Sequence, residues 1–199
     1  MNKFTVLGAI TALGFAGPAL AQSGPGSISY SYVEVGYIST EIDDFNVDGD
    51  GFGLKGSWGF TDMFHAFAQY SDLSFDSNID SSAFEIGAGL NWELSPTIDL
   101  IGTVSYLTVE VDASVPGFRS VSADDDGLGV GMGVRALVTN QLEVSGKLNY
   151  VEFDDAGDDT TFGVAARYYF TPMFAIGGDI NFDDDGTTWI IAGRFDFGR

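Results

Sequence analysis

The sequence predicts an all-β chain, folded as a single closed antiparallel transmembrane β-barrel of about ten strands in up-and-down order, with eight strands as the alternative. Three observations predict it: apolar residues alternate with small or polar ones, this alternation recurs in runs of strand length, and the connections alternate between short and long. The chain has 199 residues, of which 27 are Gly and none is Cys. The absence of cysteine excludes a disulfide scaffold, and the formal net charge of -21 excludes nucleic-acid binding.

The N-terminus has the pattern of a cleaved signal peptide. Lys3 supplies the positive charge, an apolar run follows, and Ala19-Leu20-Ala21 before Gln22 is a small-x-small cleavage pattern. We therefore assign residues 1–21 to a signal peptide and residues 22–199 to one barrel domain. No later stretch offers about 20 consecutive apolar residues, so a mature chain that spans a membrane has to do so as a closed barrel.

Period-two alternation defines the strands. From Leu128 onward, for example, Leu128, Val130, Met132 and Val134 share one face, and the residues between them are glycines. Counting such runs gives ten predicted strands, at residues 28–39, 51–61, 64–73, 82–93, 98–110, 127–138, 141–152, 160–170, 174–182 and 187–197.

The connections alternate in length. Those at residues 61–63, 94–97, 139–140 and 171–173 are tight, whereas the other five are mostly longer and rich in Asp. Outer-membrane barrels have this pattern, with the short turns in the periplasm and the long loops outside the cell. An even number of strands places both chain ends in the periplasm.

Alternation alone does not tell which face points inward, because a soluble lipocalin-like barrel alternates in the same way. The non-apolar face here is mostly Gly, Ala, Ser and Asn, and it carries fewer charges than the roughly 25–35% of a soluble surface. Aromatic residues also form two girdles, as they do at the two membrane interfaces. One girdle, beside the short turns, comprises Trp58, Phe60, Phe64, Trp92, Tyr168, Phe170 and Phe174; the other, beside the long loops, comprises Tyr70, Phe84, Tyr106, Tyr150, Phe162, Phe182 and Trp189. We conclude that the apolar face contacts lipid.

This orientation places most of the basic residues of the mature chain inside the barrel, together with several acids. A lipid-facing Arg or Lys costs about 2–4 kcal/mol at the bilayer midplane, which forces these charges inward. The sequence therefore predicts a charge network in the barrel interior, formed by Glu34, Lys55, Glu85, Arg135, Glu143, Lys147, Arg167, Asp179, Arg194 and Asp196. An ion-paired, largely filled interior is favoured, because a ten-stranded barrel is near the size at which side chains fill the lumen. A narrow pore lined by these charges is the alternative.

The only histidine, His65, lies close to a short turn. Barrel proteases and deacylases need a histidine base near their substrate, and a strand of about ten residues separates His65 from the loop carboxylates by roughly 30 Å. We expect no catalytic residue and no enzyme activity.

The loop acids are Asp43, Asp44, Asp48, Asp50, Asp124, Asp125, Asp126, Asp154, Asp155, Asp158, Asp159, Asp183, Asp184 and Asp185.

Asp together with Gly forms good solvated turns, and this is the favoured interpretation of these acids. The alternative is weak binding of Ca²⁺ or Mg²⁺, which take oxygen ligands. No loop has the EF-hand spacing, so no metal ligand is named. We expect no other cofactor.

Several segments resemble a known family. Tyr30–Tyr37, Asp50–Ser57, Phe64-His65 and Gln69-Tyr70-Ser71 are similar to the small outer-membrane β-barrel proteins of the OmpA/OmpX-like superfamily, most closely to a branch seen in xanthomonads and related proteobacteria. The resemblance spans the mature chain and implies the barrel fold and an outer-membrane location. The family's assembly signal is matched by Gly193-x-Phe195-x-Phe197, although Gly198-Arg199 follow it.

The function expected from these observations is that of a non-enzymatic barrel in envelope structure, adhesion or surface interaction. A narrow, cation-favouring channel is the alternative. The expected partners are outer-membrane lipid, lipopolysaccharide and the barrel-assembly machinery, and the protein is expected to be a monomer.

Overall fold

The computed structural model describes residues 28–42, 47–75, 79–113 and 121–198. The expected signal peptide, residues 1–21, lies outside these ranges, as do Asp43 and Asp44. Within them, ten antiparallel strands form one closed barrel, which confirms the predicted fold class and the count of ten rather than eight. The strands are β1 Tyr32–Ile42, β2 Val47–Gly59, β3 Phe64–Phe75, β4 Ile79–Ser95, β5 Ile98–Ala113, β6 Val121–Leu137, β7 Leu142–Phe153, β8 Gly157–Tyr169, β9 Phe174–Phe182 and β10 Gly186–Asp196.

Each strand pairs with its neighbours in sequence, and β1 pairs with β10 to close the barrel. This closing seam runs from Tyr32 opposite Asp196 to Ile42 opposite Gly186 without a register shift. In the part of the chain that the structure describes, no helix has the length and apolar character needed to cross a membrane. We call the two rims the short-turn end, which includes the turns before β3 and β9, and the long-loop end opposite to it.

Several predicted strand boundaries were wrong, and most connections at the long-loop end are shorter than predicted, because strands such as β2 and β8 extend into them. Two of the errors concern β1 and β6. Residues 28–31 are not part of β1, because the backbone pairing stops where the Phe197 amide donates to the Ser31 carbonyl (2.8 Å), and the preceding residues turn into the lumen. The segment 121–126, predicted as the end of a loop, belongs to β6. Its Asp residues lack β-propensity, but its backbone pairs with β5, from Ala113 opposite Val121 to Thr108 opposite Asp126.

The outward face is apolar, as predicted. Leu128 is 69% exposed and Trp58 is 64% exposed. A soluble protein rarely exposes so many large apolar side chains to this extent. Every member of the two predicted aromatic girdles is exposed on the outside of the barrel. This arrangement suits a wall that is solvated by lipid between two interfaces.

The lumen holds an apolar layer that the sequence analysis did not predict. It fills the half of the barrel nearer the long-loop end, and its members are Ile38, Ile42, Leu73, Phe75, Leu107, Val109, Val151, Phe153, Ile190 and Ala192. These residues alternate with outward-facing ones and so have the inward phase. The ion pairs are therefore confined to the other half of the lumen, while the polar residues of this half include Thr40 and Thr188, whose hydroxyls bond to each other (2.8 Å).

Candidate functional site in the lumen and at the long-loop end

Glu34 lies at the centre of the polar half of the lumen, between two arginines. Arg167 places its Nη2 2.6 Å from Glu34 Oε1 and 2.7 Å from Asp179 Oδ2. Arg194 places its Nε 2.7 Å from Glu34 Oε2. All four side chains are buried. They come from β1, β8, β9 and β10, so this cluster joins the strands on both sides of the closing seam.

A second ion pair continues the cluster towards the short-turn end. Arg135 donates from Nε (2.9 Å) and Nη2 (2.6 Å) to Glu143 Oε1. Arg194 Nη1 lies 3.4 Å from the same oxygen, and the Tyr169 hydroxyl lies 3.4 Å from Glu143 Oε2. Arg194 therefore links Glu34 to Glu143, and the ion pairs form one connected network across the lumen.

The structure places all ten predicted network residues inside the lumen and brings six of them together in these ion pairs. The other four are Lys55, Glu85, Lys147 and Asp196. Lys55 is buried with its Nζ 5.6 Å from the centre of the Phe67 ring, and Glu85 accepts a hydrogen bond from Gln69. Lys147 and Glu85 line a cavity of about 20 Å³, which is about the size of one water molecule.

The segment 28–31 closes the short-turn end of the lumen. The Tyr30 hydroxyl donates to the Asp99 carboxylate, and its ring lies 4.8 Å from the Arg135 guanidinium. Arg135 also donates from Nη1 to the Ser29 carbonyl (3.0 Å), while Ile28 packs with Leu137. Sequence reasoning missed the role of this segment because residues 28–31 alternate like a strand. It also missed Asp99, which falls in a run that has apolar residues on both faces.

His65 is buried at the short-turn end, as its position near a turn predicts. Its ring centre lies 6.0 Å from that of Tyr30 and 5.9 Å from that of Phe67. Neither ring nitrogen has a hydrogen-bond partner in the structure. The imidazole is therefore not joined to a carboxylate or a hydroxyl, as a general base in a nucleophilic pair would be.

At the long-loop end, acidic side chains stand on the outer face of the strands, and three of them, Asp48, Asp124 and Asp158, are among the predicted loop acids. We call this set the acidic collar. Its members face one another across strand pairs, as Glu41 opposite Asp48, Asp80 opposite Asp112, Glu110 opposite Asp124, and Glu152 opposite Asp158. All eight are exposed. Like charges directly opposite each other destabilise a sheet, so these pairs lower the stability of the rim.

Other acids at this end order the backbone. Asp125, expected in a loop, is buried and accepts hydrogen bonds from the amides of Asp155 (3.2 Å) and Ala156 (2.8 Å), which fixes the turn between β7 and β8. Asp183 accepts from the amides of Asp185 (2.9 Å) and Gly186 (2.7 Å) in the turn before β10. Among the residues that the structure describes, no group of three or more acidic or His side chains is placed to hold a metal ion.

The comparisons with known proteins agree with this architecture. A family model described as the outer membrane protein beta-barrel domain matches residues 7–170. The chain belongs to this family. Its location is therefore the outer membrane. That the short-turn end faces the periplasm stays a prediction. The narrower placement near a xanthomonad branch stays a prediction.

Solved structures of a porin and of an autotransporter domain share the fold. The NanC porin is 10% identical with a TM-score of 0.54, covering 84% of this chain and 100% of its own. The beta domain of the Bordetella autotransporter Brka is 9% identical with a TM-score of 0.51, covering 83% and 98%. Ail, the attachment invasion locus protein of Yersinia pestis, is 19% identical with a TM-score of 0.47, covering 83% and 97%. The search of curated proteins found no match.

Removing one partner of the buried network should destabilise the barrel. We expect Arg167→Met to lower the free energy of unfolding by about 3–5 kcal/mol, because Glu34 and Asp179 are left less compensated. The double variant Arg167→Met/Asp179→Asn should lose less than the single variant, because it no longer buries one of the two carboxylates. Urea unfolding of the refolded barrel in lipid vesicles measures both. Equal losses in the single and the double variant would contradict the coupling.

The turn before β10 should respond to pH. Burial raises the pKa of Asp183 to about 6 from its ordinary value of 3.8, and the nearby Asp159 carboxylate contributes in the same direction. The protonated carboxyl is thus favoured in the folded state, and its stabilising contribution is lost as the pH rises through about 6.

We therefore expect Asp183→Asn to stabilise the barrel relative to the wild type at pH 7.5 and to give a smaller gain at pH 5. The matched control is Asp184→Asn, at an exposed neighbour. Urea midpoints at the two pH values measure the difference. A gain from Asp183→Asn that is the same at both pH values would contradict the assignment.

Proposed function

We propose that this outer-membrane barrel neither conducts ions nor catalyses a reaction, and that it acts through its extracellular face in envelope structure, adhesion or surface interaction. The observation that carries the proposal is the filling of the lumen at successive levels. From the outside inward these are the apolar layer, the ion-pair network and the segment 28–31.

Each level opposes ion passage in a different way. The side chains of the apolar layer offer no ligand to a cation that has lost its water, and the Thr40 and Thr188 hydroxyls at the same level bond to each other. Desolvating an ion costs several kcal/mol even after the protein relaxes. Below it, Arg167 and Arg194 connect Glu34 to neighbouring strands, so the carboxylates that would attract a cation are already neutralised. Tyr30 and Ser29 then occupy the short-turn end through their bonds to Asp99 and Arg135.

The position of the only histidine supports a non-enzymatic role. His65 is buried between aromatic rings at the periplasmic end. A base acting on surface substrates has to lie within hydrogen-bonding reach of the proton it removes. The extracellular acids are on the opposite rim and lack such a base.

The acidic collar supports a role in surface contact. Facing pairs such as Glu110 and Asp124 oppose folding of the rim, and they stand where the protein meets the extracellular medium. Their field attracts cationic groups over about a Debye length, roughly 8 Å at physiological salt. We propose that the collar binds basic surfaces and cation-bridged lipopolysaccharide.

Planar-bilayer recording tests the closed lumen. We expect the wild type to give no discrete conductance steps, and the variant Leu73→Ala/Phe75→Ala/Phe153→Ala to remain silent, because the ion-pair network still closes the lumen below the opened apolar layer. An open porin inserted in the same bilayer is the positive control. Cation-selective steps from the wild type would overturn the proposal and favour the narrow channel.

Cell adhesion tests the collar. Cells that display Glu110→Gln/Asp124→Asn should adhere several-fold less to a polylysine-coated surface than cells displaying the wild type at the same level, and the difference should vanish in high salt. The matched control is Asp62→Asn/Glu93→Gln, which removes the same charge from exposed residues at the periplasmic end. An equal reduction by the control variant would show that the effect does not come from the collar.

A further inference from the structure

Asp196 is a buried carboxylate that the ion-pair network leaves out. It ends β10 at the short-turn end of the lumen, its exposed fraction is 0%, and neither carboxylate oxygen has a hydrogen-bond partner in the structure. A buried carboxylate without a partner is costly, because its charge is desolvated without compensation. A positively charged group beside Asp196 would therefore offset the cost of desolvating its carboxylate.

Two more oxygen atoms without partners lie beside it. Tyr32 is paired directly with Asp196 across the closing seam and with Ser57 on its other side. All three side chains are buried and point inward, and the hydroxyls of Tyr32 and Ser57 also have no hydrogen-bond partner. Directly paired residues on one face of a sheet have their Cβ atoms about 4.5–5.5 Å apart. Three adjacent strands thus place three inward side chains with unpartnered oxygen atoms side by side.

The arginines of the network cannot supply the missing charge, because each is held elsewhere. Arg194, two residues before Asp196, contacts Glu34 and Glu143, and its guanidinium lies 4.1 Å from the centre of the Tyr32 ring. Arg135 is paired with Glu143, and Arg167 with Glu34 and Asp179. These contacts are shared among Glu34, Glu143 and Asp179, and none of them reaches Asp196.

We propose that Asp196, Tyr32 and Ser57 bind a small monovalent cation, Na⁺ or K⁺, at the periplasmic end of the lumen. A single carboxylate neutralises a single charge, and hydroxyl oxygens complete the ligands of a hard cation. A divalent ion is disfavoured, because Ca²⁺ sites collect several charged oxygen ligands and Mg²⁺ demands near-ideal octahedral geometry. The bound cation joins β10, β1 and β2, and so stabilises the seam that closes the barrel.

The test is urea unfolding of the refolded full-length mature barrel in a zwitterionic detergent. NaCl or KCl is titrated against choline chloride at constant ionic strength, so that screening does not change. The wild-type midpoint should rise with Na⁺ or K⁺ concentration, as expected for a ligand that binds only the folded state. Choline, a bulky quaternary ammonium ion, supplies the reference.

Asp196→Asn should fold, because it removes an uncompensated charge. In choline its midpoint should equal or exceed that of the wild type, and it should not respond to Na⁺ or K⁺. Tyr32→Phe keeps the ring under Arg194 and removes only the hydroxyl, so its response should be weaker than that of the wild type. Asp62→Asn, at an exposed carboxylate of the same rim, should keep the full response.

Three results would overturn the proposal. One is a wild-type midpoint that is the same in Na⁺, K⁺ and choline, as expected if a buried water and no cation contacts Asp196. Another is a cation response that survives in Asp196→Asn. The third is an equal loss of response in Asp62→Asn, which would indicate a general effect of charge at the rim. These outcomes are independent of the conductance and adhesion tests, since a cation held at this site neither requires nor excludes a closed lumen.

Discussion

The structure depends on the rule that no backbone N–H or C=O can be left without a partner in lipid. A sheet meets this rule only when it has no edge, so β1 has to pair with β10 in a fixed register. The seam does this over its whole length, from Tyr32 opposite Asp196 to Ile42 opposite Gly186. Every other feature is placed by that closure, because it fixes which side of each strand is the lumen.

Closure creates an interior that has to be filled, and this chain fills one half with apolar side chains and the other half with charged ones. The half nearer the long-loop end is packed with aliphatic and aromatic side chains, as in a soluble core. The other half uses arginines, which present several donors at once, so that Arg194 reaches both Glu34 and Glu143. Such a network tolerates no missing member, because each carboxylate relies on a neighbour for compensation.

The architecture was predictable from the sequence because alternation with period two reports the face of every residue. That phase was enough to place Arg135, Arg167 and Arg194 in the lumen, and to place the aromatic girdles outside. It was not enough to choose partners. The link from Arg194 on β10 to Glu143 on β7 crosses the lumen, and the lateral stagger of the strands decides such contacts.

The errors have physical causes as well. Residues 28–31 alternate like a strand, yet they lie inside the barrel. There the Tyr30 hydroxyl donates to Asp99 and the Tyr30 ring contacts the Arg135 guanidinium. The segment at Asp124 has the composition of a loop, yet it is a strand because pairing with β5 overrides weak propensity. The apolar layer was missed because the inward face was identified by its small, polar and charged residues, whereas Ile38, Leu73 and Ile190 are large apolar residues in the inward phase. In the first case the deciding contacts join residues that are distant in sequence, and in the second a hairpin pairing outweighs the local composition.

The strands differ in length, and this gives the exposed rim a slope. β5 has 16 residues and β6 has 17, whereas β9 has 9. At about 3.3 Å per residue, the additional length of β5 amounts to roughly 20 Å along the strand. A flat surface that approaches the cell therefore meets the β5–β6 side first, and the far side of the rim stays clear of it. The barrel presents a leading edge, so the orientation of the molecule about the membrane normal decides which of its charges another surface encounters.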